Sequence, residues 1–312
     1  MKILVKTYNK LSNSGKVLLF VALFLALIVL FKRINRRSDG VNREGYEQND
    51  QFLFKKGAEV YDDFYATIYD YLVFNNMKDD YEITQIVNKT NPTSESVILD
   101  VGSGTGHHVA KLADKGLNVV GLDISPAMVK EAQTKFPERA SSFKVGDALN
   151  LSEFRNNSFT HVLCMYFTVY YLKDKRVFFN NCMEWLQPGG CLILHLVDRA
   201  KFDPILPPGN PLYVVSPQKY AKERITKTKV TFNEFVYNSN FSLDAEKDIA
   251  VFEEKFKFND GKVRKQEQVL YMEDADEVVS LATDAGFVIQ AKLDLVKCAY
   301  DHQYLYILVK PA

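Results

Sequence analysis

Apolar and polar positions change their spacing three times along this chain. From Val17 to Phe31, VLLFVALFLALIVLF, fifteen residues run without a polar interruption, flanked by Lys16 and by Lys32, Arg33, Arg36 and Arg37. From Lys56 to Asp70 the aromatic residues follow helical spacing, with Tyr61, Tyr65 and Tyr69 four apart on one face. Val97, Ile98 and Leu99 then form a short apolar run bounded by turn residues, which predicts a buried parallel strand delivering Asp100 and Val101 to a turn. His107 to Lys115 read as a helix with Val109, Leu112 and Ala113 toward a sheet and Gly116 closing it, and Val119 to Asp123 read as the next strand. Past Arg199 the pattern alternates residue by residue. Val230–Tyr237, Ile249–Phe258 and Val263–Tyr271 are predicted antiparallel strands, the last two joined by an Asn259-Asp260-Gly261 turn, and Asp276–Ala285 is a helix ended by Gly286.

The stretch from Val97 to Asp123 therefore holds a strand, a glycine turn, a helix and a strand ending in aspartate. That order builds a nucleotide-type ligand site at the edge of a parallel sheet. Gly102, Gly104 and Gly106 let the backbone turn sharply and bring a ligand close to main-chain N–H groups. Asp123 is placed to accept from a ribose diol. A dinucleotide fingerprint G-x-G-x-x-G counted from Gly102 needs its third glycine at position 107, where the chain has histidine. A nicotinamide oxidoreductase is disfavoured on that ground. The bland alternative for the glycines is a tight turn between strand and helix.

The pattern present, Asp100-x-Gly102-x-Gly104-x-Gly106, resembles motif I of class I S-adenosylmethionine-dependent methyltransferases of the small-molecule type. Further segments follow in the order this resemblance requires. Ile124-Ser125-Pro126-Ala127-Met128 is similar to the segment after motif I, with Ser125 as N-cap and Pro126 at the first helical position. Phe143–Val145 with Gly146-Asp147-Ala148 resembles the third strand and its acidic turn. Phe159–Tyr166 resembles the fourth strand, and Leu186–Leu194 a helix end, glycine turn and fifth strand. Phe287–Leu295 and Gln303–Val309 then complete an α/β, doubly wound, seven-stranded and mostly parallel sheet, with an antiparallel β insertion at about 199–271 before the last helix. The resemblance implies S-adenosylmethionine as cofactor. Asp123 and Ile124 would hold its ribose side, Met128, Asp147 and Ala148 its adenine, and Asp100, Gly102, Gly104 and Gly106 its methionine portion. Cys164 at the end of the fourth strand, and Tyr65 on the helix before the core, are further implied contacts. For any one tyrosine of the 61/65/69 stripe, packing on the sheet is the competing role.

A sulfonium cofactor carries its own leaving group, so few catalytic side chains are needed beyond those that align the acceptor and exclude water. Candidates lie at the carboxyl ends of the fourth and fifth strands: Tyr166, Tyr170, Tyr171, His195 and Asp198. For the aromatics the alternative is core packing, and for His195, inside the strand Leu192–Val197, a satisfied core histidine. Cys164-Met165-Tyr166-Phe167 lacks the Asn/Asp-Pro-Pro-aromatic tetrapeptide of many base and glutamine methylases, and no Pro-Cys pair offers a thiolate for pyrimidine C5. With 39 basic and 39 acidic residues, the chain has no cationic excess for a phosphate backbone, so no nucleic-acid partner is expected. Cys164, Cys182, Cys191 and Cys298 show no C-x-x-C and read as buried thiols. His107 and His108 are adjacent, face different ways on a helix, and are not expected to share a metal.

As a helix the apolar run 17–31 extends about 22 Å at 1.5 Å per residue, against a hydrocarbon core of roughly 30 Å. Snorkelling lysines and arginines close such a mismatch. A secretory signal is the competing reading, opposed by the absence of a small-x-small cleavage site before KRINRR, and a core helix is opposed by apolarity on every face. The expected organisation is a short basic segment 1–16, a transmembrane helix 17–31, a linker 32–51 and a methyltransferase domain 52–312. Basic residues on both sides of the anchor lean toward a cytosolic catalytic domain. The expected activity is methyl transfer to a small-molecule, lipid-like or membrane-proximal acceptor, and the alternative is a catalytically inactive membrane scaffold with the same fold.

Overall fold

The computed structural model describes Ser12, Lys16 and residues 52–204 and 216–312; the expected anchor 17–31 and linker lie outside the described residues. Among the described residues no helix is long and apolar enough to cross a membrane. In chain order the elements are β1 (Phe52–Lys56), α1 (Asp63–Val73), α2 (Asn76–Thr90), β2 (Val97–Val101), α3 (His107–Ala113), β3 (Asn118–Asp123), α4 (Pro126–Lys135), β4 (Phe143–Val145) and β5 (Phe159–Cys164). There follow α5 (Thr168–Tyr171), α6 (Lys175–Trp185), β6 (Leu186–Val197), β7 (Lys227–Thr231), β8 (Phe235–Asp244), β9 (Ile249–Phe258), β10 (Val263–Tyr271), α7 (Ala275–Asp284), β11 (Val288–Leu295) and β12 (Tyr300–Val309).

Seven strands form one sheet in the order β11-β12-β6-β5-β2-β3-β4. β4, β3, β2, β5 and β6 run parallel, and β12 is antiparallel to both β6 and β11. The chain winds outward from β2 through β3 to β4, then returns to the other side of β2 with β5. The order therefore reverses at the carboxyl ends of β2, β3 and β5, where a crevice opens because neighbouring connections leave on opposite faces. Strand parity builds the two faces of the core. Ile98, Leu163, Ile193 and Ile307 pack with Ile83, Ile86, Val109 and Leu112 from α2 and α3. Leu99, Val162, Leu192 and Leu308, each one residue out of phase, pack with Phe178 and Trp185 of α6 and Val278 of α7.

The insertion forms a second sheet, β1-β10-β9-β8-β7, antiparallel except for β1 on β10. Two expectations need correction here. Val230–Tyr237 is not one strand: Phe232 N donates to Phe235 O at 2.9 Å, and the chain reverses between β7 and β8. Alternation alone carried no mark of that reversal, since Phe232 and Phe235 flank it and both are apolar. Nor is Lys56–Asp70 one helix. Lys56 ends a strand paired with β10, Gly57 takes φ +58, and α1 starts only after Asp62, whose carboxylate accepts from Tyr65 N at 3.1 Å as an N-cap. The hairpin at Asn259-Asp260-Gly261 forms as expected, with Gly261 N donating to Phe258 O at 3.1 Å.

Helix α1 bridges the sheets. One side packs Tyr65, Ala66 and Leu72 with Phe235, Tyr237 and Phe256 of the insertion. At its other side Asp70 accepts from Thr105 Oγ1 at 2.6 Å, from His107 Nε2 at 2.6 Å and from Lys135 Nζ. Burial works against the charge on Asp70, but these three donors outweigh it and hold the carboxyl at about 2. Its folded value lies below its unfolded value, so the stabilisation is present above about pH 4 and is lost as pH falls through about 2. The expected contribution is about 2 kcal/mol. In urea titrations Asp70→Asn should lower stability by that order at pH 7, and the gap from the unsubstituted chain should shrink as pH falls from 5 toward 2; a gap constant with pH would refute the latch.

Candidate active site

The glycine turn sits at the reversal point with φ +68 at Gly102, +55 at Gly104 and +86 at Gly106, a left-handed run that glycine adopts without steric cost. Its N–H groups are largely used within the protein. Gly102 N and Ser103 N donate to Leu122 O at 2.7 and 3.1 Å, Gly106 N to Ser103 O at 3.0 Å, and Gly104 N to Asp123 Oδ2 at 2.9 Å. The turn thus supplies room rather than a row of free donors, which corrects the simplest reading of its sequence. Even the room is unequal. A Cβ at Gly102 would lie 2.5 Å from Thr168 Cγ2, and one at Gly106 would lie 2.6 Å from Phe143 Cε1. At Gly104 the nearest atom is Tyr69 Cε1, 3.9 Å away. Packing demands the outer two glycines; the middle one faces open space.

Around that space stand the expected acids. Asp123, at the end of β3, takes Gly104 N on one oxygen and Ser125 N on the other at 2.8 Å, each oxygen keeping a second lone pair, and burial pushes its carboxyl up. Ile124 follows, 57 % exposed, as an apolar shelf at the rim. Asp100 is 1 % exposed and its Oδ2 has no partner, and burial raises its carboxyl to about 7. An unpartnered buried carboxylate oxygen is costly unless a ligand satisfies it. Asp147 accepts from Leu149 N at 2.9 Å on Oδ1, and the carbonyl of buried Ala148 takes Asn181 Nδ2 at 2.9 Å, so both lie in an ordered turn after β4.

Several predicted residues take other roles. Met128 is 2 % exposed and packs with Val60 and Tyr65, so its side chain belongs to the core beneath α1. Cys164 is fully buried and its thiol is pushed up by burial; parity turns its side chain into the core. Tyr170, also fully buried, accepts from Val197 N at 2.9 Å and fastens α5 to β6. His195 is fully buried, with Nδ1 at the Tyr166 carbonyl and Nε2 3.0 Å from Gln303 Oε1. Burial, with Lys78 adding to it, holds its ring at about 4, so the ring is neutral: its one N–H goes to the Tyr166 carbonyl, the other nitrogen accepts from the Gln303 amide once that amide is turned to present its NH₂, and both nitrogens are engaged in the core. Asp198 pairs with Lys201 at 3.0 Å.

Tyr166 and Tyr171 do reach a cavity. It lies between α1, the turn after β5 and the insertion sheet. Tyr61, Tyr65, Tyr69 and Val73 line one side, Tyr166, Phe167 and Tyr171 another, and Phe241, Phe252, Gln268 and Leu270 a third, with Phe202, Asp203, Pro204, Tyr300 and Gln303 closing it. Tyr166 holds φ +52, a conformation costly for a bulky residue and common where a site dictates the backbone. Tyr69 is shared: it lines this cavity and faces Gly104.

Below Tyr166 lies an ionic cluster that sequence reasoning missed. Lys78 Nζ is 2.7 Å from Glu82 Oε1 and 5.1 Å from the Tyr166 ring centroid, and His108 Nε2 is 3.3 Å from Glu82 Oε2. Burial raises Glu82, but Lys78 and His108 overcome it and bring it to about 2; burial lowers His108, but Asp79 and Glu82 lift it to about 9. Asp79, Glu82 and His108 bring ligand atoms within 4.8 Å of one another, and Lys78 already supplies a cation there. The usable signal was the i, i+4 spacing of Lys78 and Glu82 on a helix with apolar Ile83 and Ile86.

Residues 99–194 match a family model described as a methyltransferase domain. Over that stretch the chain is similar to a methyltransferase domain. It is 29 % identical over 148 residues to a dTDP-4-amino-2,3,4,6-tetradeoxy-D-glucose N,N-dimethyltransferase of Saccharopolyspora spinosa, covering 45 % of this chain and 57 % of that protein. It is 38 % identical over 101 residues to a 2-methyl-6-phytyl-1,4-hydroquinone methyltransferase of Synechocystis, covering 32 % and 31 %. The match thus spans little more than half of the first relative and about a third of the second. Among solved structures, a S-adenosylmethionine-dependent methyltransferase from Clostridium acetobutylicum aligns with TM-score 0.60 at 19 % identity, covering 80 % of this chain and 98 % of that one. The CcbJ methyltransferase of Streptomyces caelestis aligns with TM-score 0.61 at 16 % identity, covering 81 % and 98 %. At these identities the structures establish the fold.

The domain's cofactor, S-adenosylmethionine, fits the site on three observations: the orphaned Asp100 Oδ2, the open space at Gly104, and Asp123 at the strand end with lone pairs to spare. Gly104→Ala should weaken binding of S-adenosylhomocysteine by about tenfold or more in calorimetry, about 1.4 kcal/mol, with about 1 kcal/mol of folding stability lost to its left-handed backbone, whereas Gly102→Ala carries the same backbone strain and should cost about a further 1–3 kcal/mol of folding stability by overpacking Thr168. Equal effects of the two on binding would contradict this division. Asp100 is raised in the folded state, so it favours folding below about pH 4 and that advantage is lost as pH rises through about 7. Asp100→Asn should therefore stabilise the chain at pH 8 relative to pH 5 while weakening cofactor binding; a loss of stability at pH 8 would count against an unpartnered acid.

Proposed function

We propose that the chain is a membrane-tethered methyltransferase that moves a methyl group from S-adenosylmethionine to a small-molecule or membrane-proximal acceptor. One observation carries the reading: the open face of Gly104, whose N–H is held by Asp123, shares Tyr69 with an aromatic cavity. In this reading Asp123 accepts from the ribose hydroxyls, Asp147 and the Ala148 turn meet the adenine beside Ile124, and Asp100 with the glycine turn takes the methionine end. When bound, the cofactor supplies an electrophilic methyl whose bonding pair remains on sulfur as the acceptor's lone pair forms the new bond. Tyr65, Tyr69 and Tyr166 exclude water from the meeting point, and their ring faces favour a cationic centre. Among the described residues lining the cavity, only the tyrosines and Asp203 carry a titratable side chain, and His195 is withdrawn, so the described wall contributes positioning rather than proton removal.

The support for tethering is the apolar run 17–31 between basic flanks, and the length of polar chain that follows it. The relatives named above support a small-molecule acceptor.

Calorimetry on the full chain should give saturable heat with S-adenosylmethionine and S-adenosylhomocysteine; absence of heat with both would defeat the proposal. Label from methyl-labelled cofactor should pass into a component of a total lipid and metabolite extract, and binding without any transfer would favour the inactive scaffold. Alkaline washing of membranes should leave the full chain in the pellet and release a chain lacking residues 1–37; release of both would remove the anchor.

A further inference from the structure

We propose that the cavity selects an amine as the methyl acceptor, because a one-way chain of hydrogen bonds starting at Arg264 consumes the protons of Tyr61, Tyr65 and Tyr171 and so gives the wall they form an accepting face. The inference rests on the methyltransferase reading above and adds the acceptor class to it.

The chain begins at a group that cannot accept. Arg264 is 3 % exposed; its Nη1 holds both Asp62 oxygens at 2.9 and 2.8 Å, its Nη2 holds Val60 O at 2.9 Å, and its Nε donates to Gln266 Oε1 at 2.8 Å. With its carbonyl turned to the guanidinium, Gln266 presents its NH₂ to Glu254, Nε2 to Oε2 at 2.6 Å. Glu254, 2 % exposed, is contacted by no lysine or arginine in these bonds; it also accepts from Tyr237 Oη at 2.8 Å, Tyr65 Oη at 3.0 Å and Gln268 Nε2 at 2.8 Å. Four donors converge on one carboxylate, which accepts from each of them, while burial pushes its carboxyl up. Gln268 is thereby fixed as well. Turning its amide over would set Oε1 against the Glu254 carboxylate, so Oε1 faces the cavity side, where it takes the hydroxyls of Tyr61 at 2.9 Å and Tyr171 at 2.6 Å.

A phenol has one proton. Those of Tyr61, Tyr65 and Tyr171 all point into the wall, leaving lone pairs and ring faces toward the cavity. The cavity lining includes no lysine or arginine among the described residues, and its one carboxylate, Asp203, is bonded by Ser216 Oγ. On the wall of Tyr61, Tyr65 and Tyr171 a carboxylate, phosphate or phenolate would meet oxygen lone pairs. An amine offers N–H donors to those oxygens and, when they are held, keeps its lone pair as the direction left free for bonding. It enters neutral, having left any proton in water, and the methylated ammonium returns its proton to water on release. A hydroxyl acceptor offers a single donor and needs a base, and the histidine behind Tyr166 has both nitrogens engaged. Glu254 and Gln268 act through the tyrosines and are positioning residues.

The test uses the full chain saturated with S-adenosylhomocysteine and three matched probes, benzylamine, benzyl alcohol and benzoate, with binding measured by calorimetry or ligand-observed NMR. Benzylamine should bind about tenfold or more tightly than either of the others. Benzoate or benzyl alcohol binding as well as benzylamine would overturn the inference. Gln268→Leu frees the protons of Tyr61 and Tyr171 and should cut the amine preference by about fivefold or more, with S-adenosylhomocysteine affinity retained. Tyr171→Phe, on a half-exposed side chain, should weaken benzylamine more than benzoate. A preference unchanged in both variants would show that the relay is not its source. Failure to bind S-adenosylhomocysteine at all would instead bring down the cofactor reading, and this inference with it.

Discussion

On the side of helix α1 that faces the glycine turn, one carboxylate gathers three donors, and the site depends on that hold. Asp70 gathers Thr105, His107 and Lys135 from three different segments onto one side chain, and so presses α1 over the glycine turn. Everything the seven-stranded sheet contributes to a ligand lies at its carboxyl edge; everything the five-stranded sheet contributes lies on the face that packs Tyr65. Without α1 between them these are two separate surfaces. With it, Tyr69 stands 3.9 Å from the place a Gly104 side chain would occupy and also walls the aromatic cavity. The energetic logic is local charge neutralisation: three donors on a half-buried carboxylate overcome the cost of its burial, where one exposed pair would contribute little.

Most of the central sheet was legible because parallel strands buried on both faces read as uninterrupted apolar runs, and the glycines between them mark turns that other residues adopt only at a cost. Asp100, Asp123 and Asp147 were legible for the same reason, as polar residues at the ends of such runs. What the runs do not encode is which face a side chain takes. Tyr166 and Tyr171 reach the cavity while Cys164, Tyr170 and His195 are turned into the core, although all five lie at the carboxyl ends of neighbouring strands. Sheet register sets the phase for Cys164 and His195, whereas Tyr166 lies past the end of β5 and Tyr170 and Tyr171 are neighbours on α5, where the helical turn separates them. The turn at Phe232 to Phe235 and the break at Gly57 were illegible for a different reason. Each interrupts a pattern of aromatic residues that continues on both sides, so periodicity alone bridges the gap.

The cavity wall was beyond local reading. Gln268 meets Tyr61 across 207 positions, and Arg264 meets Asp62 across 202. Alternation in β9 and β10 places Glu254, Gln266 and Gln268 among residues that an apolar face would be expected to supply, and a sequence search ranks such residues as exposed edges of a strand. Their burial at 2 % or less makes sense only once they are seen to satisfy one another. Net charge misleads in a related way. The even balance of 39 basic and 39 acidic residues conceals local segregation, with Lys78, Glu82 and His108 packed below Tyr166 and no lysine or arginine among the described residues of the cavity lining above it.

A buried carboxylate without a cationic partner is expensive, and a protein that needed only a stable wall could have used leucine at Glu254. The donors recruited instead are neutral amides and phenols, each with a fixed direction. A salt bridge at that position would neutralise the charge but would leave the amide of Gln268 free to present either end, and the phenols free to rotate their protons toward the ligand. The amide chain removes that freedom, because each member can satisfy the next in one orientation only once Arg264 has set the first. Stability is surrendered to fix the polarity of a surface. That exchange is intelligible where the surface must discriminate between a ligand that donates and one that accepts, and on a wall with no such task it would have no return.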